Sequence, residues 1–283
     1  MGVDVHGLRF LQYARARSNA FGEVATVGRQ QIHIPGIFLE NLRLQSKPRF
    51  GDFCEQLLLD DFQASSIVSF DASDYEGATY VADFNLPLVH NKAYDTVVDF
   101  GTTEHIFDVA QALRNIDSLC KEGGQILHML PANNYCGHGF WQFSPELFFS
   151  LYSDRNGYSS TEVFVIKESD PETWYKVKIP DGHRRINLKS SFPIIVACRT
   201  IKLKQLSEKS VQQSDYVYIW ENESKTQATV PKKRKSFFRR WTKPIVKRWK
   251  LLLPSAKKTG KESLSVHNEN LTVCNVEELI ACA

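Results

Sequence analysis

Apolar positions along this chain switch repeatedly between two periods, and the switches mark out its elements. Thr96-Val97-Val98 is a short β-branched run, the composition of a buried strand. The small, polar stretch Asp99-Phe100-Gly101-Thr102-Thr103-Glu104-His105 follows it. Val109, Leu113, Ile116 and Leu119 then recur at helical spacing. Lys121-Glu122-Gly123-Gly124 is expected to stop that helix, with glycine where a left-handed residue is wanted. Ile126–Leu130 begins the next strand. A strand, loop, helix and strand in this order imply parallel strands joined by a right-handed crossover. In such sheets ligands bind outside the carboxyl ends of the strands. Here those ends carry Thr102–His105 and Pro131-Ala132-Asn133-Asn134.

The same reading extends to both sides. Leu8, Phe10, Leu11 and Tyr13 suit a short helix packed on the body. Gly22–Val27, ending at Gly28, reads as the first strand, and Phe53–Phe62 as an amphipathic helix. Ser65–Asp71 and Thr79–Asp83 are the second and third strands, each ending in an acid. After the fifth strand comes a Gly-aromatic loop, Gly137-His138-Gly139-Phe140-Trp141-Gln142-Phe143. Ser144-Pro145-Glu146 has the chemistry of a helix start: a capping hydroxyl, proline at the first position and an acid in the first turn. Thr161–Ile166 and Phe192–Cys198 are the last two strands, with 168–190 as an insertion or lid. The expectation is a seven-stranded, mostly parallel α/β sheet with helices on both faces. Residues 1–20 are an extension, 21–204 the domain, and 205–283 a polar linker and tail, partly disordered.

The strand ends suggest a ligand. A carboxylate after the second strand, Asp71, offers two acceptor oxygens for the hydroxyls of a ribose. Asp83, after the third, can accept the exocyclic amine of an adenine. Gly28 lets a ligand approach the backbone closely. Each acid alone is more often a solvated loop carboxylate or a helix cap, and it is the ordered set that describes an adenosine-shaped site.

On these residues the chain resembles class I S-adenosylmethionine-dependent methyltransferases of the type 11 kind. The resemblance rests on Ser69-Phe70-Asp71, Ala82–Pro87, Tyr94–Val98 with Glu104-His105-Ile106, and Leu119–Ile126, and it spans about residues 20–200. It implies a Rossmann-like fold and S-adenosyl-L-methionine as cofactor. Asp71 would hold the ribose, Asp83 and Phe84 would sit by the adenine, and Thr102 to His105, Glu104 included, would line the methionine portion. The chain departs from the family after the first strand, where Val27-Gly28-Arg29-Gln30-Gln31 has one glycine instead of two or three. Arg29 offers a bidentate partner for the cofactor's carboxylate, against the plainer reading of a surface side chain with its stem packed down. If the acceptor is a hydroxyl, a base helps, and His138 and His105 are the candidates. Both also have plain readings as loop residues. The acceptor is expected to be a polar small molecule or glycan. The alternative from a different class is a non-catalytic scaffold of the same fold.

Composition adds three things. The six cysteines form no C-x-x-C pair and suggest neither zinc nor disulfides, which points to a reducing, cytoplasmic setting. No apolar run reaches the roughly 18–20 residues of a membrane span, and the first residues lack a signal-type apolar core. The formal charge of +3 hides an asymmetry. Residues 232–261 hold 13 Lys or Arg and no acid, which leaves 22 basic against 32 acidic residues elsewhere. Within 232–253 the cations are mixed with Phe, Trp and Leu, which suits peripheral binding to an anionic membrane surface. A nucleic-acid-binding arm, and with it a nucleic-acid methyltransferase, is the second reading.

Overall fold

The computed structural model describes residues 2–18, 20–179, 190–206, 211–229 and 270–282. The basic stretch 232–253, and with it the membrane and nucleic-acid expectations, lies outside the described residues. No helix among the described residues is long and apolar enough to cross a membrane.

Nine strands form one sheet among these residues: β1 (Gly22–Val27), β2 (Ala64–Asp71), β3 (Tyr80–Val81), β4 (Tyr94–Phe100), β5 (Cys120–Pro131), β6 (Tyr158–Lys167), β7 (Thr173–Val177), β8 (Ile194–Lys202) and β9 (Leu271–Asn275). Their order is β3-β2-β1-β4-β5-β8-β6-β7-β9. The first five are mutually parallel, and β8 runs antiparallel between β5 and β6. The order reverses between β1 and β4, which makes the crevice beyond their carboxyl ends the topological switch point.

Alternation along the strands supplies two apolar faces. Ala25, Val27, Val97, Ile126 and Leu130 belong to one cluster, and Val24, Val98, Leu127 and Met129 to the other. The helices α4 (Val109–Leu119) and α5 (Pro145–Leu151) cover the first face through Leu113, Ile116, Leu119, Phe148 and Leu151. The second is covered by α1 (Val5–Ala16), α3 (Glu55–Phe62) and α7 (Val276–Ala281), with Phe10, Leu11, Tyr13, Leu58, Phe62 and Val276 buried there. The short α2 (Gly36–Asn41) adds Leu39 to that cluster. The cap expected at 144–146 is present: Ser144 accepts from the Glu146 amide, with Pro145 opening α5.

Three expectations are corrected. Seven strands become nine, because part of the supposed insertion at 168–190 is β7 and residues 271–275 pair against it as β9. The short helix expected from Leu8, Phe10, Leu11 and Tyr13 is present as α1, which buries all four in the core. The domain does not end at 204, since Val276 is fully buried and α6 (Ser214–Thr229) follows within the supposed linker. The Gly-Gly turn caps no helix. α4 ends at Leu119, and β5 already begins at Cys120, with Gly123 left-handed inside its irregular first residues.

Candidate functional site

Parallel pairing brings the ends of β1, β2, β3 and β4 side by side, and with them the residues the sequence singled out. Gly28 follows β1 with φ +73°. A Cβ there would collide with Thr102 Oγ1, so only glycine lets the loops after β1 and β4 close on each other. They are joined by hydrogen bonds. Thr102 Oγ1 donates to the Val27 carbonyl at 2.7 Å, and the buried Gln30 amide donates to the same carbonyl at 2.7 Å. Gln30 therefore occupies the floor of the switch point, a role the sequence did not indicate.

Asp71 ends β2 half-buried, and its carboxylate accepts from the Ser73 amide at 3.4 Å. Asp83 is exposed, and one oxygen accepts from the Asn85 amide and side chain at 2.9 and 2.8 Å. These hydrogen bonds hold its carboxyl below the usual range. The Asn85 side chain also accepts from the Asp108 amide at 3.0 Å, tying this turn to the loop after β4. Exposed apolar side chains, Val81, Leu86 and Phe107, lie along these same loops. Two carboxylates thus stand among exposed apolar side chains.

Two expected residues sit differently. Arg29 is engaged inside the protein: its Nε bonds Glu55 at 2.7 Å, its NH1 the carbonyls of Glu76 and Gly77, and its guanidinium lies 3.8 Å above the Phe53 ring. It clamps the loop carrying Asp71 onto α3 instead of offering its fork to a ligand. Phe84 is 4% exposed and packs edge-on to Phe70, so it forms part of the core beneath the site.

Beyond β4 and β5 a second cluster assembles. Glu104 is fully buried, and neither carboxyl oxygen has a hydrogen-bond partner among the described residues. Burial, reinforced by the nearby Asp99 charge, pushes its carboxyl up to about 8. His138 Nε2 lies 3.4 Å and His105 Nε2 3.8 Å from Glu104 Oε1, with the imidazole rings 5.0 Å apart. Burial holds both imidazoles below their ordinary value, in His105 with help from His138, so the neutral forms of all three are favoured over an ion pair. The backbone builds this meeting. Gly139 (φ +69°) lies so close to the Glu104 carbonyl that a Cβ would come within 2.8 Å of it. That carbonyl accepts from the Phe140 and Trp141 amides at 2.7 and 3.3 Å, and Trp141 Nε1 donates to the Ile106 carbonyl at 2.9 Å. Phe140 and Phe107 stand exposed beside it, edge to face at 6.1 Å.

Behind the cluster is a network that sequence reasoning missed. His128 Nδ1 donates to Asp99 at 2.9 Å, Tyr152 donates to His128 Nε2 at 2.6 Å, and Thr103 Oγ1 donates to Asp99 at 2.6 Å. Every member is nearly or wholly buried. Asp99 also accepts from the Thr102 and Thr103 amides at 3.3 and 3.2 Å, which fixes the turn that presents Glu104. The signal was present in the sequence as a histidine inside an apolar strand, His128, which pairs in register with Asp99.

A cavity of about 1190 Å³ lies elsewhere, by the start of β6 and the ends of β7 and β8. Its charges converge on Glu162, which bonds Tyr13 and Lys176 and lies near Arg17 and Arg199. It takes in none of the strand-end acids.

No family model matches this chain, and no curated protein does. Solved structures with distant similarity include the YcgJ protein from Bacillus subtilis, at 12% identity over 70% of this chain and 99% of that one, with a TM-score of 0.39. The N-methyltransferase NodS from Bradyrhizobium japonicum WM9 follows at 10% identity, covering 71% of this chain and 97% of its own, TM-score 0.41. A third is a possible histamine N-methyltransferase from Thermotoga maritima, at 13% identity over 70% and 91%, TM-score 0.37. A likeness this distant carries nothing about what the present chain acts on.

Proposed function

We propose that this chain is an S-adenosylmethionine-dependent methyltransferase acting on a polar acceptor. The observation that carries the reading is the row of strand ends: Gly28, left-handed, after β1, then Asp71 at the end of β2 and Asp83 two residues beyond β3, beside the switch point. In this reading Asp71 accepts the ribose hydroxyls, Asp83 the adenine amine, and the exposed apolar side chains at 81 and 86 flank the base. The cofactor supplies an electrophilic methyl group when bound. The chain's own part is to hold cofactor and acceptor in line, which is where much of the rate advantage of such a transfer arises.

Acceptor binding is assigned to the far side, where His105 and His138 face Glu104 and the exposed rings of Phe107 and Phe140 offer an apolar wall. A small molecule or glycan, polar at one end and apolar along its body, suits such a surface.

Calorimetry with S-adenosylhomocysteine tests the reading on the full chain. Saturable 1:1 binding is expected, weakened at least tenfold in Asp71→Ala. If the native protein takes up neither this compound nor S-adenosylmethionine, the chain is a scaffold of the same fold and the enzyme reading falls.

A further inference from the structure

We propose that Glu104, His105 and His138 form a binding site for a divalent transition-metal ion. Their ligand atoms all lie within 4.8 Å of one another. Two imidazole nitrogens and a carboxylate oxygen are the donor set of catalytic zinc and of non-haem iron sites, which keep open positions for water or substrate. Metal–ligand bonds of about 2.0–2.2 Å place donor atoms of a tetrahedral site roughly 3.3 Å apart. Two of the pairs here stand at 3.4 and 3.8 Å. The third pair also lies within 4.8 Å, and the His105 side chain is 48% exposed, so its imidazole is not locked by packing.

The site explains an otherwise costly arrangement. A carboxyl group with both oxygens buried and unpartnered is disfavoured by several kcal/mol unless something satisfies it. Among the described residues Glu104 is in that condition, and His138 Nε2 beside it is also buried without a hydrogen-bond partner. The protein nevertheless anchors the two segments together through three hydrogen bonds and a left-handed glycine, which holds the bare donors facing each other. A cation between them satisfies Glu104 Oε1 and His138 Nε2 at once. The Asp99–Thr103–His128 network fixes the turn from behind, so the carboxylate needs little reorganisation to bind. The inference does not depend on the cofactor reading. If both hold, the ion's open positions face the acceptor side, where a metal lowers the pKa of a bound oxygen.

The test uses the full chain freed of metal with chelator. Zn²⁺ is titrated by calorimetry and Co²⁺ by visible absorption, with S-adenosylhomocysteine binding measured separately in the metal-free protein. One equivalent of either ion is expected, and the cobalt bands should lack thiolate charge transfer. Glu104→Gln and His138→Asn should each weaken Zn²⁺ by more than the 10–100-fold that loss of an outer-shell partner costs. His105→Ala, at an exposed position that does not threaten folding, should weaken it as well. Cys136→Ser should change nothing, although Cys136 is exposed two residues from His138. The inference is overturned if no saturable binding occurs, if binding survives all three ligand variants, or if it disappears with Cys136. It is also overturned if Glu104→Gln weakens S-adenosylhomocysteine while sparing Zn²⁺, because Glu104 would then serve that ligand's amino group. Metal binding without S-adenosylhomocysteine binding supports the site and removes the enzyme reading alone.

Discussion

At the scale of single residues, Gly28 decides how closely the loops after β1 and β4 approach. Gly51 is equally left-handed (φ +88°) but has open space where a Cβ would go. Gly51→Ala should therefore cost only the backbone term, about 1–2 kcal/mol. Gly28→Ala adds a collision with Thr102 Oγ1 and should cost clearly more in chemical denaturation. Adding Thr102→Ser, which keeps the hydroxyl, should recover little, so the loss is assigned to the hydroxyl's position. The importance of Gly28 was legible in the sequence, because a lone glycine after a strand is a recognisable signal. Its partner was not legible. Thr102 lies 74 positions later, and only parallel pairing of β1 with β4 places it there. Arg29 shows the converse: its charge was visible, but the competition for it from Glu55 and the 76–77 carbonyls exists only once α3 and the loop after β2 have folded beside it.

At the scale of elements, the parallel core is tied at its amino ends by charges. Glu23, the second residue of β1, accepts from Lys121 Nζ in β5 at 2.8 Å, and Lys92 lies 2.6 Å from its other oxygen. The Lys121 and Lys92 hydrogen bonds hold its carboxyl down to about 2 from an ordinary 4.5. A depressed folded-state pKa contributes stability above the unfolded value and loses it as pH falls through the folded one. Native protein should thus be more stable than Glu23→Gln near pH 6. The gap between them should shrink from about pH 4.5 down to about pH 2, which denaturant midpoints across that range would reveal. A gap independent of pH would refute the assignment. Most element boundaries were readable, because burial on one face imposes a period of 2 or 3.6 on the sequence. β7 escaped because its five residues, with Trp174 and Val177 buried and the rest partly so, lie within polar surroundings. β9 escaped because its pattern buries only Leu271.

At the scale of the whole molecule, the two ends of the chain complete one face of the sheet. α1 covers β4 and β5 through Gly7, whose missing Cβ leaves room for Phe100 and Met129. β9 and α7 close the edge beyond β7, and Val276 is fully buried. Removing residues 270–283 should expose the outer edge of β7 and that apolar patch. Loss of one buried valine alone is worth about 1.5–3 kcal/mol, so the melting temperature should fall by about 5 °C or more. A bare strand edge also invites association. The truncated chain should therefore show larger species by light scattering. If it melts like the full chain and stays monodisperse, β9 and α7 are dispensable. Binding is a property of the whole fold as well. S-adenosylhomocysteine at 100 times its dissociation constant should stabilise the native state by about 2.7 kcal/mol if it binds there alone.

The sequence by itself determined the alternating strand-and-helix order, the parallel core and the row of residues at the strand ends. These follow from local period and composition, which each segment carries without reference to the others. Tertiary structure alone decided which of those residues meet. It set Gln30 and Thr102 across the switch point, drew Arg29 to Glu55, sank Phe84 into the core, and brought His138 to Glu104 across 34 positions of chain. Such meetings depend on strand register and on loops pressed together through glycines, and no local pattern encodes the distance between two loops.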